Sequence, residues 1–243
     1  MRRAFAILAA GWIACTSALG ASSDRSADES AREQFYRIRQ WAASRGLNIH
    51  RHNDKSVGLV LDIFERVNRE HPIGALRWAL VHLEDASEPT LKRMNTLGVG
   101  WALQDAGYFE GETQLKEKGA EAMKRIPRIN SALYIGVRVG AGTHRVASYN
   151  PWVALRWMLD GKTVGGLALR GTEETPTREN ALRMYTLGSA WFAFAEKERG
   201  SLEVGKLADL AVLSKDYFKV PVEEIGEIEA VMTMVGGRVV YER

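Results

Sequence analysis

Apolar positions recur at helical spacing along most of this chain, broken by short runs of continuous apolar residues. Residues 31–45 carry Phe35, Ile38, Trp41 and Ala42 on one face and stop at Gly46, which predicts a helix. A short strand is expected at 47–50, then a helix over 55–69 with Val57, Val60, Leu61, Phe64 and Val67 on one side, broken by Pro72 and Gly74. The continuous apolar run at 76–83 reads as a strand buried on both faces, 89–97 as a helix and 99–103 as a second buried strand. Residues 110–124 are polar and read as loop then helix. The segment 128–135 leads through Gly136 into a β-branched strand at Val137. Asn150-Pro151 is a helix start, with Asn as N-cap and Pro at the first helical position, for a helix over 151–159. Strand and helix alternate four times, which argues for a parallel sheet with helices packed outside it.

After Gly161 the pattern changes. Thr175-Pro176 is expected to start a helix reaching about Glu198, with Thr175 as its cap. Strands are expected at 207–213, 230–235 and 239–241. Gly236-Gly237 between the last two is a two-residue hairpin signal, so the tail reads as a small antiparallel sheet.

The chain has 243 residues, 46% hydrophobic and 26% charged, enough for one substantial core. Arg2 and Arg3 precede an apolar run over 4–19 that ends in Ala18-Leu19-Gly20, the pattern of an export signal over 1–20, with 21–30 as a polar leader. A membrane anchor is the alternative, but the run is short for a span of about 20 residues. Cleavage after Gly20 takes the basic residues from 33 to 31 against 30 acids. The charge is then nearly balanced, and with no block of like charge the chain lacks a nucleic-acid footprint. Cys15 is the single cysteine and lies in that signal, so the exported chain is expected to form neither disulfide nor thiolate metal site; lipid attachment at Cys15 is a minor alternative because Trp12 fits that pattern badly.

Of the five histidines, His50, His52, His71, His82 and His144, four fall at or just past predicted strand ends. His50 and His82 are 32 residues apart, about one strand-helix-strand unit. That spacing suits neighbouring parallel strands aimed at one end of the sheet, and two imidazoles there make half of a metal site, with Asp54 and Glu84 near enough to hold ligands. On spacing alone, strand-end histidines bonded to backbone are an equally open reading. His71, before Pro72, reads as structural. Gly188-Ser189-Ala190 sits in a helical pattern without a nucleophile elbow, Gly140-Ala141-Gly142 lacks the Lys-Ser/Thr of a phosphate loop, and Trp152 and Trp157 read as core.

Two stretches of the tail carry a family signature. Gly200-Ser201-Leu202-Glu203-Val204-Gly205-Lys206-Leu207-Ala208-Asp209-Leu210-Ala211-Val212-Leu213 resembles the segment by which amidohydrolase-superfamily chains leave their barrel for a β-sandwich, and Thr233 to Tyr241 resembles the terminal hairpin of that sandwich. Ser148-Tyr149-Asn150-Pro151-Trp152 and Gly161-Lys162-Thr163-Val164-Gly165-Gly166 are similar to the amidohydrolase-3 group, which includes N-substituted formamide deformylases. The resemblance implies an α/β fold: the C-terminal half of a metal-dependent (β/α)8 TIM barrel, about four βα units over 31–199, with part of a β-sandwich over 200–243. It implies a divalent metal, zinc, that activates water for attack at a non-peptide carbon–nitrogen bond of a small amide-type substrate. It places His50 and His82 at the fifth- and sixth-strand metal positions, with Asp54, Glu84 and His52 as possible supporting residues. At the eighth strand the family expects Gly-Thr-Asp where this chain reads Gly142-Thr143-His144-Arg145, so no residue near Thr143 and His144 is assigned the catalytic carboxylate. The first four barrel strands, with their His-x-His, have no counterpart. Three readings follow: a hydrolase by descent, a truncated non-catalytic remnant, or a subunit completed by another chain. A half-barrel with open edges at the Leu47 and Val137 strands, and with Ile49, Leu80, Ala102 and Val139 as its inward face, is expected to self-associate.

Overall fold

A computed structural model of the chain describes residues 54–143 and 150–243, together with Glu33, Tyr36 and Arg37. Its first long helix, α1 (Asp54–Glu70), buries the predicted apolar face completely: Val57, Val60, Leu61, Phe64 and Val67 are at most 1% exposed. A 3-10 turn at Gly74–Leu76 leads to β1 (Ala79–Val81), followed by α2 (Glu88–Leu97), β2 (Gly100–Gln104), α3 (Ala106–Lys118), α4 (Ala120–Met123), α5 (Ile129–Ile135), β3 (Val139–Gly142) and α6 (Pro151–Asp160). The strands form a parallel sheet in the order β1-β2-β3. Caps set several boundaries. The Ser87 hydroxyl accepts from Thr90 N to start α2, and Gly98 in the left-handed region ends it. Asn150 Oδ1 accepts from Trp152 N at 3.0 Å, Pro151 opens α6, and left-handed Gly161 closes it.

Three expectations from the sequence are corrected. The strand expected over 76–83 is only Ala79–Val81, because Arg77 (φ 52°) and His82 (φ 56°) both adopt left-handed backbone and end the ladder on either side. The loop expected from Glu110 is instead helix from Ala106. Gly107 and Gly111 disguise that helix in the sequence, and packing explains them: a Cβ at Gly107 would lie 2.9 Å from the Trp157 ring, and one at Gly111 2.8 Å from the Thr163 methyl. Leu80, Ala102 and Val139 do not share a face. Leu80 is opposite Trp101, and Trp101 opposite Val139, so Ala102 lies on the other side. Ile49 and the Leu47 strand lie outside the described residues.

The helix expected to run from Thr175 to Glu198 is divided. Its cap is Thr177, whose hydroxyl accepts from Asn180 N at 3.1 Å, while the Thr175 hydroxyl donates to Gly171 O at 3.2 Å in the preceding turn. From there α7 (Arg178–Arg183) widens into a π-turn at Met184–Gly188 and continues as α8 (Ser189–Phe192). This segment lies against β3. Arg138 O accepts from Trp101 N, so by alternation Val139 O and Ala141 O face the strand's other edge. The Ser189 hydroxyl donates to Ala141 O at 2.8 Å, and any Cβ on Gly188 would collide with Val139 O. Phe192 fills the space above Gly100 and Gly140. The edge expected to be open at this strand is therefore covered. At the opposite end of the sheet, the Arg77 guanidinium binds both Glu196 carboxylate oxygens at 2.8 and 2.7 Å and stacks over Trp191, tying the entry of β1 to the end of α8.

The tail forms a second, antiparallel sheet in the order β4 (Leu210–Leu213), β5 (Ala230–Val235), β6 (Arg238–Glu242). Gly236 and Gly237, at φ 57° and 78°, make the hairpin that the sequence predicts. A 3-10 segment at Val222–Glu227 packs on α6 and buries Ile225 and Ile228. The Arg178 guanidinium, donating to Tyr217 O and Val220 O, holds the loop before it.

Two glycines test this packing in opposite directions. Gly58 sits inside α1 with nothing within 4 Å of an added Cβ, so Gly58→Ala is expected to stabilise by about 0.5–1 kcal/mol. Gly188→Ala forces a methyl into the β3 backbone and is expected to cost about 1–3 kcal/mol. Urea melts of the two variants check the pair. The Arg77 guanidinium also holds the Glu196 carboxyl down at about 2. A depressed carboxylate stabilises above its unfolded value and loses that contribution as pH falls through the folded one. The acid loss of stability between about pH 4.5 and 2 should thus be shallower in Glu196→Gln than in the wild type, measured by thermal melts across that range.

Candidate active site

In a parallel sheet flanked by helices, side chains at the C-terminal strand ends converge on one face of the molecule. Here those exits are His82 after β1, Asp105 after β2 and Thr143 after β3. His82 is one of three non-glycine residues at positive φ among those described, a costly conformation for a residue with a Cβ. Its side chain is 12% exposed and that of Glu84 16%, with His82 Nδ1 and Glu84 Oε1 3.9 Å apart. Both face an open pocket of about 360 Å³. One wall is the loop after β1, with His82, Glu84 and Asp85. The other is one face of α3, with Glu110, Thr113, Gln114 and Glu117 at helical spacing. Lys118 Nζ reaches Asp85 Oδ2 at 2.7 Å and joins the two walls. With four carboxylates and one lysine in its lining, the pocket favours cationic or electrophilic occupants.

A second group surrounds the exits of β2 and β3. Gln104 Nε2 donates to Thr143 O at 3.4 Å. Asp105 is 1% exposed and does not cap α3, although it holds the N-cap position. Tyr185, carried by the π-turn, is pushed up to about 12, first by burial and then by the Asp105 charge, against a hydrogen bond with Thr143.

Of the residues singled out in the sequence, the structure brings His82 and Glu84 together at the pocket. Asp54 is the first residue of α1. His50, His52 and His144 lie outside the described residues. Among the described residues no group of three or more His, Cys, Asp or Glu side chains is arranged to hold a metal ion. His71 follows α1 and is exposed, and Trp157 is core as expected. Sequence reasoning missed Asp105 and the Asp85–Lys118 pair. Asp105 directly follows an apolar strand in the pattern 99–104, the same signal that picked out His82, whereas Lys118 becomes visible only once α3 is known to begin at Ala106.

The amidohydrolase family model matches residues 3–241, a span that takes in the apolar run read as an export signal. The N-substituted formamide deformylase of Arthrobacter pascens is 31% identical over 208 residues, which cover 83% of this chain and 38% of that protein. The 5-methylthioadenosine/S-adenosylhomocysteine deaminase of Symbiobacterium thermophilum is 33% identical over 116 residues, 44% of this chain and 27% of that one. Among solved structures, an uncharacterised metal-dependent hydrolase from Pyrococcus horikoshii superposes with a TM-score of 0.65 at 25% identity over 79% of this chain and 39% of its own. An adenosine deaminase from Xanthomonas campestris with bound zinc shares the fold with a TM-score of 0.57 at 18% identity, over 87% of this chain and 49% of its own. The chain spans less than half the length of each of these relatives. With a match running nearly end to end, and a parallel α/β sheet leading into a small antiparallel one, the chain belongs to the amidohydrolase family.

Proposed function

We propose that this chain carries part of the active site of a metal-dependent hydrolase that cleaves a non-peptide carbon–nitrogen bond in a small amide-type molecule. The observation that carries the reading is His82: an imidazole at a strand exit, on left-handed backbone, beside a carboxylate, at the mouth of a pocket. The names of the relatives, a formamide deformylase and a metal-dependent hydrolase, support the reaction class. A divalent metal, zinc by the same analogy, would supply a polarised water. The described residues alone do not fit it, since one imidazole and one carboxylate fall short of the three protein ligands that a catalytic zinc takes. No step is therefore routed through the metal. The part of this chain's own residues is narrower. His82 faces the pocket with Glu84 Oε1 3.9 Å from its Nδ1, and the acid-rich walls hold the reacting group. His50 is the further donor proposed, with His52 and Asp54 as supporting residues.

A non-catalytic protein of the same fold, or a subunit whose site is completed by another chain, is the second reading. It is favoured by Gly142-Thr143-His144-Arg145, which brings no carboxylate to the exit of β3. Zinc titration against a chromophoric chelator, followed by a formate-release assay on N-substituted formamides, separates the readings. We expect weak zinc binding that is lost in the His50→Ala, His82→Ala double variant, and formate release only from the zinc-loaded wild type. Equal zinc binding by both proteins would remove the site assignment. Zinc binding without formate release would favour the non-catalytic reading. Export is proposed on the Arg2-Arg3 and apolar-run pattern. The mature N-terminus should then lie near Gly20 in protein recovered outside the cytoplasm, and an intact Met1 on cytoplasmic protein would sink the idea.

A further inference from the structure

The two halves of α3 are held differently. Its buried residues, Ala106, Gly107 and Gly111, all lie in the first half. That half is pinned to α6 and to the loop after it. Trp157 lies against Gly107, and Thr163 and Leu169 lie against Gly111. The Thr163 hydroxyl donates to Glu112 Oε1 at 2.9 Å, and Val164 N donates to Tyr108 O at 2.7 Å. The second half, from Thr113 to Lys118, buries none of its residues. It ends at Gly119, where the backbone turns at φ 80° and an added Cβ would meet nothing within 4 Å. The next buried side chain is Met123 in α4.

Thr113, Gln114 and Glu117 of this second half line the pocket opposite His82. A segment with little buried surface opens at the low end of a protein's range of local stabilities. Its tie across the pocket is Lys118 Nζ to Asp85 Oδ2 at 2.7 Å, on the loop that carries His82 and Glu84. One partly exposed ion pair is weak on the scale of a whole fold, yet it is enough to bias a half-helix that no core residue holds. The His82 side chain is only 12% exposed and its backbone is fixed in the left-handed region, so what faces it governs its access. We propose that the second half of α3 is a lid on the pocket and that the Lys118–Asp85 pair is its latch. Paired, the lid shields His82; broken, it lifts between its anchors at Glu112 and Met123. The inference concerns entry to the pocket and stands or falls apart from the hydrolytic reading, since neither zinc nor an amide enters its test.

The test compares the full chain with Asp85→Asn, with Lys118→Met and with the exchanged pair Asp85→Lys, Lys118→Asp. Amide hydrogen exchange resolved by mass spectrometry should speed up roughly threefold or more across 113–118 in each single variant, the weight of one such ion pair, with α1 and β2 unchanged. Modification of His82 by diethyl pyrocarbonate, read from peptide maps against the exposed His71, should rise by a similar factor in both. The two single substitutions change the local charge in opposite senses. A rise common to both therefore reports exposure and not an altered reactivity of the imidazole. The exchanged pair should bring both readouts back toward the wild type. Exchange and His82 modification that stay at wild-type values in the single variants would overturn the proposal. So would a rise in only one of them, or a loss of protection that spreads through β1 and β2.

Discussion

The contact on which the parallel sheet depends is the backbone approach of Gly188 and Ser189 to the outer edge of β3. A three-stranded parallel sheet ends in carbonyl and amide groups that need partners, and leaving them buried and unpaired costs as much as losing hydrogen bonds outright. Here Ala141 O is satisfied by the Ser189 hydroxyl, and the absence of a side chain at Gly188 lets the helix reach Val139 O. The π-turn that brings these two residues to the strand also sets what lies before and after it. Ahead of them, Tyr185 is held at the strand exits with its hydroxyl bonded to Thr143. Beyond them, Phe192 fills the space left by Gly100 and Gly140, and Trp191 lies under the Arg77 guanidinium. One close approach thus couples the edge of the sheet, its entry and its exit.

What was legible in the sequence follows from how local each determinant is. The faces of α1, the Asn150-Pro151 start of α6 and the Gly236-Gly237 hairpin each depend on a few adjacent residues, and each formed as read. The start of α3 was not legible, because Gly107 and Gly111 are poor helix formers whose reason is a tight fit against Trp157 and Thr163, distant in sequence. The division of the helix after Thr177 was hidden for the same reason. Nothing in Met184-Tyr185-Thr186-Leu187-Gly188 departs from helical periodicity, and the widening answers to a strand about fifty residues upstream. Half of the pocket was legible. His82 and Glu84 end an apolar run, but the facing wall is α3, whose position the sequence hid.

The pocket is built from two elements with different kinds of order. His82 is fixed by backbone, since a left-handed residue between a strand and a loop has little freedom to turn. The α3 wall is fixed by packing, through Gly107 and Gly111, and by the Lys118–Asp85 pair across the gap. That ion pair is only partly exposed, 28% at the lysine and 24% at the aspartate, so it is screened less than a surface pair. It also uses the one lysine in the lining, which leaves the remaining wall acidic. An acidic wall beside an imidazole suits the binding of positive charge.

The two sheets meet solvent differently, and the chain between them explains how. α6 is the hinge of the packing: Trp157 sits against α3 on one side, and Ile225 in the Val222–Glu227 turn docks on the other. Arg170, 8% exposed, caps the end of α6 by donating to Trp157 O and Met158 O, and burial pulls its guanidinium down to about 10. Such a buried cation persists because it answers the helix's last carbonyls and lies near Asp160 and Glu174. The anchoring ends at that turn. Beyond it the tail sheet is joined mainly to itself, with β4 on β5 and β5 on β6, and its strands remain half-buried or exposed. The bulge at Val240 breaks the regular ladder of β6, one of the irregularities by which an edge strand resists pairing with another chain. Among the described residues the two sheets thus answer the same problem differently, β3 with the backbone of Gly188 and Ser189 against its outer edge and β6 with a break in its own ladder.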